Sequence, residues 1–600
     1  MLKRIVSLGL LCMAAQAHAN IIVTTTADLD GSDSSTCSLR NAINLINTTD
    51  VTQKLGGCVG TDASSTIIVA KSAVYTLNSR LPAITKSVTI QSTGFDSAGN
   101  NADGSNNSVI VAGGKFRIFD NTTASPDASI TLSLTNVDLK GCGTGSVGSP
   151  TCDTNGGVIY NAGSVVLTNV RIYNGSATFG GAIYNTAQGH ISTSVVELKN
   201  NNAEQQGAAL YSQNALFTIS QSLLRNNTIN TANAAAGFVV YTQAVDSTLT
   251  STTSGVRDST IYNNGTNAIN IVPGLVVGNA TIVNNQGGVF LNSPTTYAGL
   301  FNSIIGDNNG ADCTFASGDS TPLTNLVYTN SCSGGSGGIP ANSKQLSDTG
   351  TETLMATGTT INGRVACALS PAVGILCPFT TASDQFNGYL LPRLLFPQYT
   401  NISQSPIVNK GYSGTGAVGT CSVTDQRNKT RTLCDIGAIE LVIPTGNVQT
   451  NGQDISYGQT ATLDLSTVIG DGQLIPASEC SAIYPNTKPQ GGTWLDGCLI
   501  YTLMPTKGVL TSIDASTNLM VYTPSSNYYG YDQFSYNITS TTSFFSTAQN
   551  DQTLNVTTTI VQSPPSGIPS KTVGAGGVGV FAVVGLIGLA LRRRLTGGQL

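Results

Sequence analysis

Hydrolysis of a glycosidic bond needs two facing carboxylates. The centre of this chain has few acids to supply them: Asp138, Asp153, Glu197, Glu204, Asp246, Asp258, Asp307 and Asp312. None forms an Asp-Asp or Asn-Thr-Asp cluster. A polysaccharide lyase needs an Arg or Lys base, usually beside an acid-bound calcium, and neither Gly-His-Gly nor Arg-Ile-Lys occurs. What remains is a column of residue types. Lys140, Tyr173, Lys199, Arg225 and Tyr262 fall at one position of a recurring phrase, and Asp138, Arg171 and Glu197 alternate in sign beside it. A basic and aromatic strip can hold a glycan. A solvated face can carry the same residues as cross-strand pairs worth about 0.2–1 kcal/mol each. The second account is preferred, because a shared repeat position does not by itself establish function.

No cofactor and no metal is expected. Asp28-Leu-Asp30-Gly-Ser-Asp33 and Asp307-Asn-Asn-Gly-Ala-Asp312 lack the twelve-residue spacing of an EF-hand loop. There is no Cys-x-x-Cys, and His190 is the one histidine after the first 19 residues. A net charge of −5 over 600 residues argues against nucleic acid as a partner.

The column needs elements to position it, and the sequence shows them as repeats. One phrase runs from glycine through apolar residues to tyrosine: Gly157–Tyr160, Gly181–Tyr184, Gly207–Tyr211 and Gly237–Tyr241. A second carries the column and ends in asparagine, with Asn174, Asn200 and Asn226 each 26 residues apart. Each phrase is a short period-2 strand bounded by Gly or Asn. Coils of 20–30 residues built this way predict an all-β chain with a right-handed parallel β-helix. Stacking would align Ile172, Leu198, Leu224, Ile261 and Ile282 inward. It would align Asn200, Asn226, Asn263 and Asn284 in a turn ladder, where asparagine tolerates left-handed backbone. A propeller or an open sandwich is the alternative. Irregular repeat spacing and the lack of a Trp-Asp signature argue against the propeller.

The ends suggest an address outside the cytoplasm. Lys3 and Arg4, an apolar run, and Ala17-His18-Ala19 before Asn20 form a three-part secretory signal over 1–19, cut between Ala19 and Asn20. Residues 574–594 read as a transmembrane helix closed by Arg592, Arg593 and Arg594, with 595–600 on the cytoplasmic side. Only 10% of residues are charged, against a usual ~25%. Of thirteen cysteines, twelve fall into neighbouring pairs, as an oxidising compartment favours. These are Cys37/Cys58, Cys142/Cys152, Cys313/Cys332, Cys367/Cys377, Cys421/Cys434 and Cys480/Cys498. After a β-helix over 20–442 and a linker over 443–452, alternating strands predict a β-sandwich over 453–561. A second linker spans 562–573.

Four motifs carry a family resemblance. Cys37-Ser-Leu-Arg-Asn-Ala-Ile43 resembles the Cys-Ser-Leu-Arg-Glu-Ala motif that opens a group of bacterial β-helix surface proteins, with Asn41 where that group has Glu. Asp425-Gln-Arg427 and Cys434-Asp-Ile-Gly-Ala-Ile-Glu440 resemble its closing motif. Asn527–Phe534 resembles cadherin-like and immunoglobulin-like modules. Gly574, Gly576 and Gly577 ahead of an apolar helix and three arginines resemble a Gly-Gly sorting signal removed by a rhomboid-type protease, the rhombosortase. The whole architecture is similar to the rhombotarget A family. The resemblance implies an inner-membrane precursor, cleavage near Gly576-Gly577, type II secretion, and display on the cell surface or release. The expected activity is non-catalytic, an adhesin or interaction module with a glycan or host surface as partner. The alternative is a secreted polysaccharide lyase or hydrolase.

Overall fold

A computed structural model describes residues 20–565 except 32–34, 49–53, 61–64, 94–103, 105, 123–129, 231, 244–253, 333–340, 348–351, 356–359, 362–363, 366–373, 378–385, 393–401, 413–418, 445 and 547–552. The signal segment and the expected membrane helix 574–594, with Gly574, Gly576, Gly577 and Arg592 to Arg594, lie outside the described residues. Among the described residues no helix is long and apolar enough to cross a membrane. The chain divides into two compact units, one of Met1–Ile443 with Phe544–Gln552 and one of Pro444–Ser543 with Thr553–Leu600.

The described residues are mostly β, with 43% strand and 7% helix. The first unit is dominated by parallel sheets of eighteen, eight and four strands. Their pairing follows the repeats. Ser164–Tyr173 lies parallel to His190–Lys199, with Val170 opposite Val196 and Ile172 opposite Leu198. Leu198 then faces Leu224, Leu224 faces Ile261, and Ile261 faces Ile282. All five are buried. Because sheet spacing is ~4.8 Å, each such residue touches its own counterpart one repeat away. The tyrosine phrase forms the eight-stranded sheet, where Tyr160, Tyr184, Tyr211 and Tyr241 are in register.

The chain bends where left-handed backbone is needed, and asparagine supplies it. Asn174, Asn200, Asn226, Asn263 and Asn284 have φ of 57°, 55°, 55°, 53° and 60°. A second series at 136, 169, 279, 302 and 325 does the same within the large sheet. The opening motif is an α-helix, Leu39–Asn47, which the all-β expectation omitted. Ser38 caps it by accepting from the Asn41 amide at 3.1 Å. Its apolar face, Leu39, Ala42, Ile43, Leu45 and Ile46, joins the main core. Asn41, the departure from the family motif, accepts from the Gly31 amide at 2.8 Å. Asp28, a candidate calcium ligand, is instead paired with Arg40 at 2.8 Å.

The second unit has one four-stranded and one three-stranded sheet around a single core. Tyr522, Phe534 and Tyr536 are its largest fully buried side chains. Its first strand, Val448–Ile455, starts inside the segment expected as a linker. Eight residues of parallel pairing with Leu554–Gln562 hold that segment in the sheet.

Five of the expected cysteine pairs are disulfides: Cys37–Cys58, Cys142–Cys152, Cys313–Cys332, Cys421–Cys434 and Cys480–Cys498. Their Cα separations run from 4.4 to 5.9 Å, inside the usual range. Cys377 is also disulfide-bonded, and Cys367 lies outside the described residues.

Candidate functional site

Parallel pairing sets the charged column side by side. Lys140 is opposite Tyr173, Tyr173 opposite Lys199, Lys199 opposite Arg225, and Arg225 opposite Tyr262. The column is then closed by its own neighbours. Glu197, fully buried, accepts from Arg171 Nε and Arg225 Nε, each at 2.7 Å. Arg171 also lies 3.7 Å from Asp138. Lys199 sits over the Tyr173 ring at 5.7 Å, a cation–π distance. Tyr262 packs against the apolar cluster of Val283, Ile304, Val327 and Ile436. Burial raises the Asp138 carboxyl above its ordinary range, against the opposing pull of Asn107 and Arg171. For Arg171, burial lowers the pKa, but Glu197 and Asp138 outweigh it and the net shift is upward. Within the strip Arg171 and Arg225 thus share Glu197, and Lys199 and Arg225 are only 8% and 6% exposed.

The next residue along each strand opens a different surface. Asn200, Asn226, Asn263 and Asn284 line a groove of ≈ 580 Å³ with Thr228 and Asn309. Asn284 Nδ2 donates to Asn263 Oδ1 at 3.2 Å, and Asn263 Nδ2 to Asn226 Oδ1 at 2.8 Å. Directly behind runs a second, buried ladder. Asn201, Asn227, Asn264 and Asn285 each donate amide to amide at 3.0, 3.0, 2.7 and 3.2 Å, ending on Asn308. They also donate to the carbonyls of Ile172, Leu198, Leu224 and Ile261. This inner ladder was not anticipated. Its signal is the doublet that recurs at 200–201, 226–227, 263–264 and 284–285: one asparagine for the left-handed turn, one for the interior.

The tyrosine column was noticed only as a repeat mark. In space it is a stack, with ring centroids 5.6, 5.0 and 5.4 Å apart from Tyr160 to Tyr241. Arg117 lies over its first ring at 4.9 Å. Arg117 is also paired with Asp120 and Asp153. Burial and the adjacent tyrosines push Tyr211 up to about 12.

The closing motif builds a buried ion cluster. Arg431 contacts Asp258 at 3.0 Å and Glu440 at 3.4 Å. Glu440 accepts from the amides of Leu433 and Asp435, and Asp435 from those of Asn409 and Leu441. Burial, with Glu440 adding to it, raises Asp435; burial raises Asp258 to about 6 against the pull of Arg431. Both Asp435 and Glu440 are sealed from solvent at 0% and 2% exposure, so this carboxylate pair has no room for a substrate.

The other acids are similarly occupied. Glu204 accepts from Thr151 and Thr178, and Asp312 from Thr329, Asn330 and Asn308. Asp246 lies outside the described residues. No group of three or more His, Cys, Asp or Glu suited to a metal occurs among the described residues. No protein-family model matches the chain, and no curated protein matches it either. Function therefore rests on the geometry: a charged column whose two arginines are paired with Glu197, and beside it an uncharged, amide-lined groove.

Proposed function

We propose that the protein is an exported, non-catalytic envelope or surface protein whose repeat region is a right-handed parallel β-helix that presents a glycan-binding face. The one observation that carries this reading is the fate of the charges. Glu197 is spent on Arg171 and Arg225, whereas the neighbouring turn ladder presents amides. Rungs that align like with like suit a display scaffold. A glycosidase would instead hold two carboxylates ≈ 5–9.5 Å apart across a cleft.

The second unit is read as a cadherin-like or immunoglobulin-like β-sandwich, supported by its two sheets on a shared core. Export through a signal peptide, anchoring by the 574–594 helix, and cleavage near Gly576-Gly577 by a rhomboid-type protease complete the proposal. Disulfides in both units support an oxidising compartment. Membership in the rhombotarget A family rests on the four motifs alone.

Fractionation of the native host with intact-mass measurement tests the address. The expected product begins at Asn20, lacks Arg592 to Arg594, and leaves the inner membrane. Gly576→Leu with Gly577→Leu should trap the precursor there. Wild-type protein that keeps the three arginines at steady state would reduce the tail to a permanent anchor.

A further inference from the structure

Beside the asparagine groove lies an arm of the protein's own chain. Residues 143–149 leave the large sheet between Cys142 and Cys152, which are disulfide-bonded. Gly143 N donates to the Asn174 carbonyl at 2.7 Å. At Gly145, with φ of +80°, an added Cβ would stand 2.8 Å from Asn174 Oδ1 and 3.1 Å from Asn200 Cβ. Only glycine lets the backbone lie that close. Further on, Gly148 N donates to Asn230 Oδ1 at 3.4 Å. The arm thus lies against the first steps of the turn ladder as a bent segment that turns at Ser146–Ser149. The ladder continues past it, with Asn263, Asn284 and Asn309 exposed.

The chemistry of those open steps is specific. None of the thirteen residues lining the groove is charged. Every side-chain amide has two N–H donors and two acceptor lone pairs. Within the outer ladder Asn263 Nδ2 and Asn284 Nδ2 each donate once to the preceding asparagine, which leaves each of these two amides a second N–H and acceptor capacity for a ligand. A hydroxyl group, at once donor and acceptor, complements that pair. The steps repeat at the strand spacing of ~4.8 Å, close to the length of one sugar unit in an extended chain. A peptide strand finds less to hold. The backbone amides of Asn200, Asn226, Asn263 and Asn284 already donate to the carbonyls of the next coil, so no strand edge is offered for β-addition.

We infer that the groove beside the 143–149 arm binds an uncharged, hydroxyl-rich glycan laid along the asparagine ladder, with Asn226, Asn263 and Asn284 as its principal contacts. This rests on the glycan-binding reading above, and names the ligand class and the subsite. The charged column is not the contact surface. Its two arginines are closed on Glu197, and its half-buried Lys140 lies outside the groove lining.

The test uses the full mature chain with neutral cello-, xylo-, manno- and chito-oligosaccharides as probes, followed by calorimetry or affinity electrophoresis. The variant is Asn226→Gly/Asn263→Gly/Asn284→Gly, which removes the amides while keeping the left-handed turns; circular dichroism and melting confirm its fold. At least one probe should bind the wild type, with affinity that barely changes between ~50 and ~500 mM salt, as an uncharged site requires. The triple variant should lose about tenfold or more, and Lys140→Ala should bind like the wild type. Asn284→Asp alone, which keeps the shape and adds a charge, should weaken binding too. Binding that survives the triple variant but falls with Lys140→Ala or with salt would overturn the groove and move the glycan to the strip. Failure of every probe to bind the wild type would overturn both the groove and the reading on which it rests.

Discussion

The repeat region and the C-terminal unit satisfy buried polar groups by different means. In the repeat region a row of buried asparagines, Asn201 to Asn308, is partnered by its own counterparts one repeat away. In the C-terminal unit single carboxylates pin loops. Asp532 accepts from Tyr522 Oη at 2.7 Å and from the amides of Thr506 and Lys507, and Asp496 accepts from the amides of Ala477 and Ala515. Parallel stacking turns one sequence choice into a row, so a surface property such as an uncharged groove extends over several coils. Sheets with irregular loops and no sequence repeat give each polar group a separate environment.

That contrast can be broken first at the charged column. Glu197→Ala leaves two guanidiniums without their carboxylate and should cost about 3–5 kcal/mol, read by denaturant melts. Leu224→Ala, in the apolar ladder, should cost about 2–5 kcal/mol. If Glu197→Ala costs less than 1 kcal/mol, the column is a solvated surface. Next comes the inner amide ladder. Asn227→Ala strands the amides of Asn201 and Asn264 and should cost about 1–3 kcal/mol, whereas Asn226→Gly on the outer ladder should be near neutral. Equal costs would mean that the two ladders do not differ in role. In the C-terminal unit Asp532→Ala should also cost about 1–3 kcal/mol. Its effect should appear in the melting of that unit alone, with the repeat region unchanged.

The smallest effect is on pH dependence. Asp258 is raised to about 6 from 3.8 in the folded protein. The folded state therefore holds a proton that the unfolded state has released, and stability from this group falls as pH rises from about 4 to about 6. Asp258→Asn should flatten that part of the profile. Asp435, also raised by burial and by Glu440, acts with the same sign. An Asp258→Asn profile that runs parallel to the wild type over this window would contradict the Asp258 shift.

Much of the repeat region was legible because its periodicity is local. The 26-residue spacing from Asn174 to Asn226 fixes which residues align, and the pairing of Ile172, Leu198 and Leu224 follows it. The helix at Leu39–Asn47 was hidden by its neighbours in sequence, which are strands, although Ser38 is a good cap and Leu39, Ala42, Ile43 and Ile46 fall at helical spacing. The strand at Val448–Ile455 was missed because the Pro-Thr-Gly run at 444–446 reads as a linker; its partner, Leu554–Gln562, lies far off in sequence. Of the candidate site, the strip's alignment and its cross-strand pairing were readable; its burial was not, for a solvated face was expected and Glu197 is fully buried. A repeat pattern does not encode depth of burial. The groove depends on an arm whose approach to Asn174 and Asn200 is set by a disulfide and a glycine, and no period carries either.

The central claim, that the repeat region holds a glycan without cleaving it, is tested most directly by following ligand chain length. Mature protein is incubated with the neutral oligosaccharides and the mixture resolved by mass spectrometry over a day. The expected result is retention of the probe at unchanged length, at every pH between 4 and 8. Shortened chains or unsaturated ends that vanish in Glu197→Gln or Arg225→Ala would contradict it, and would make the charged column an active site.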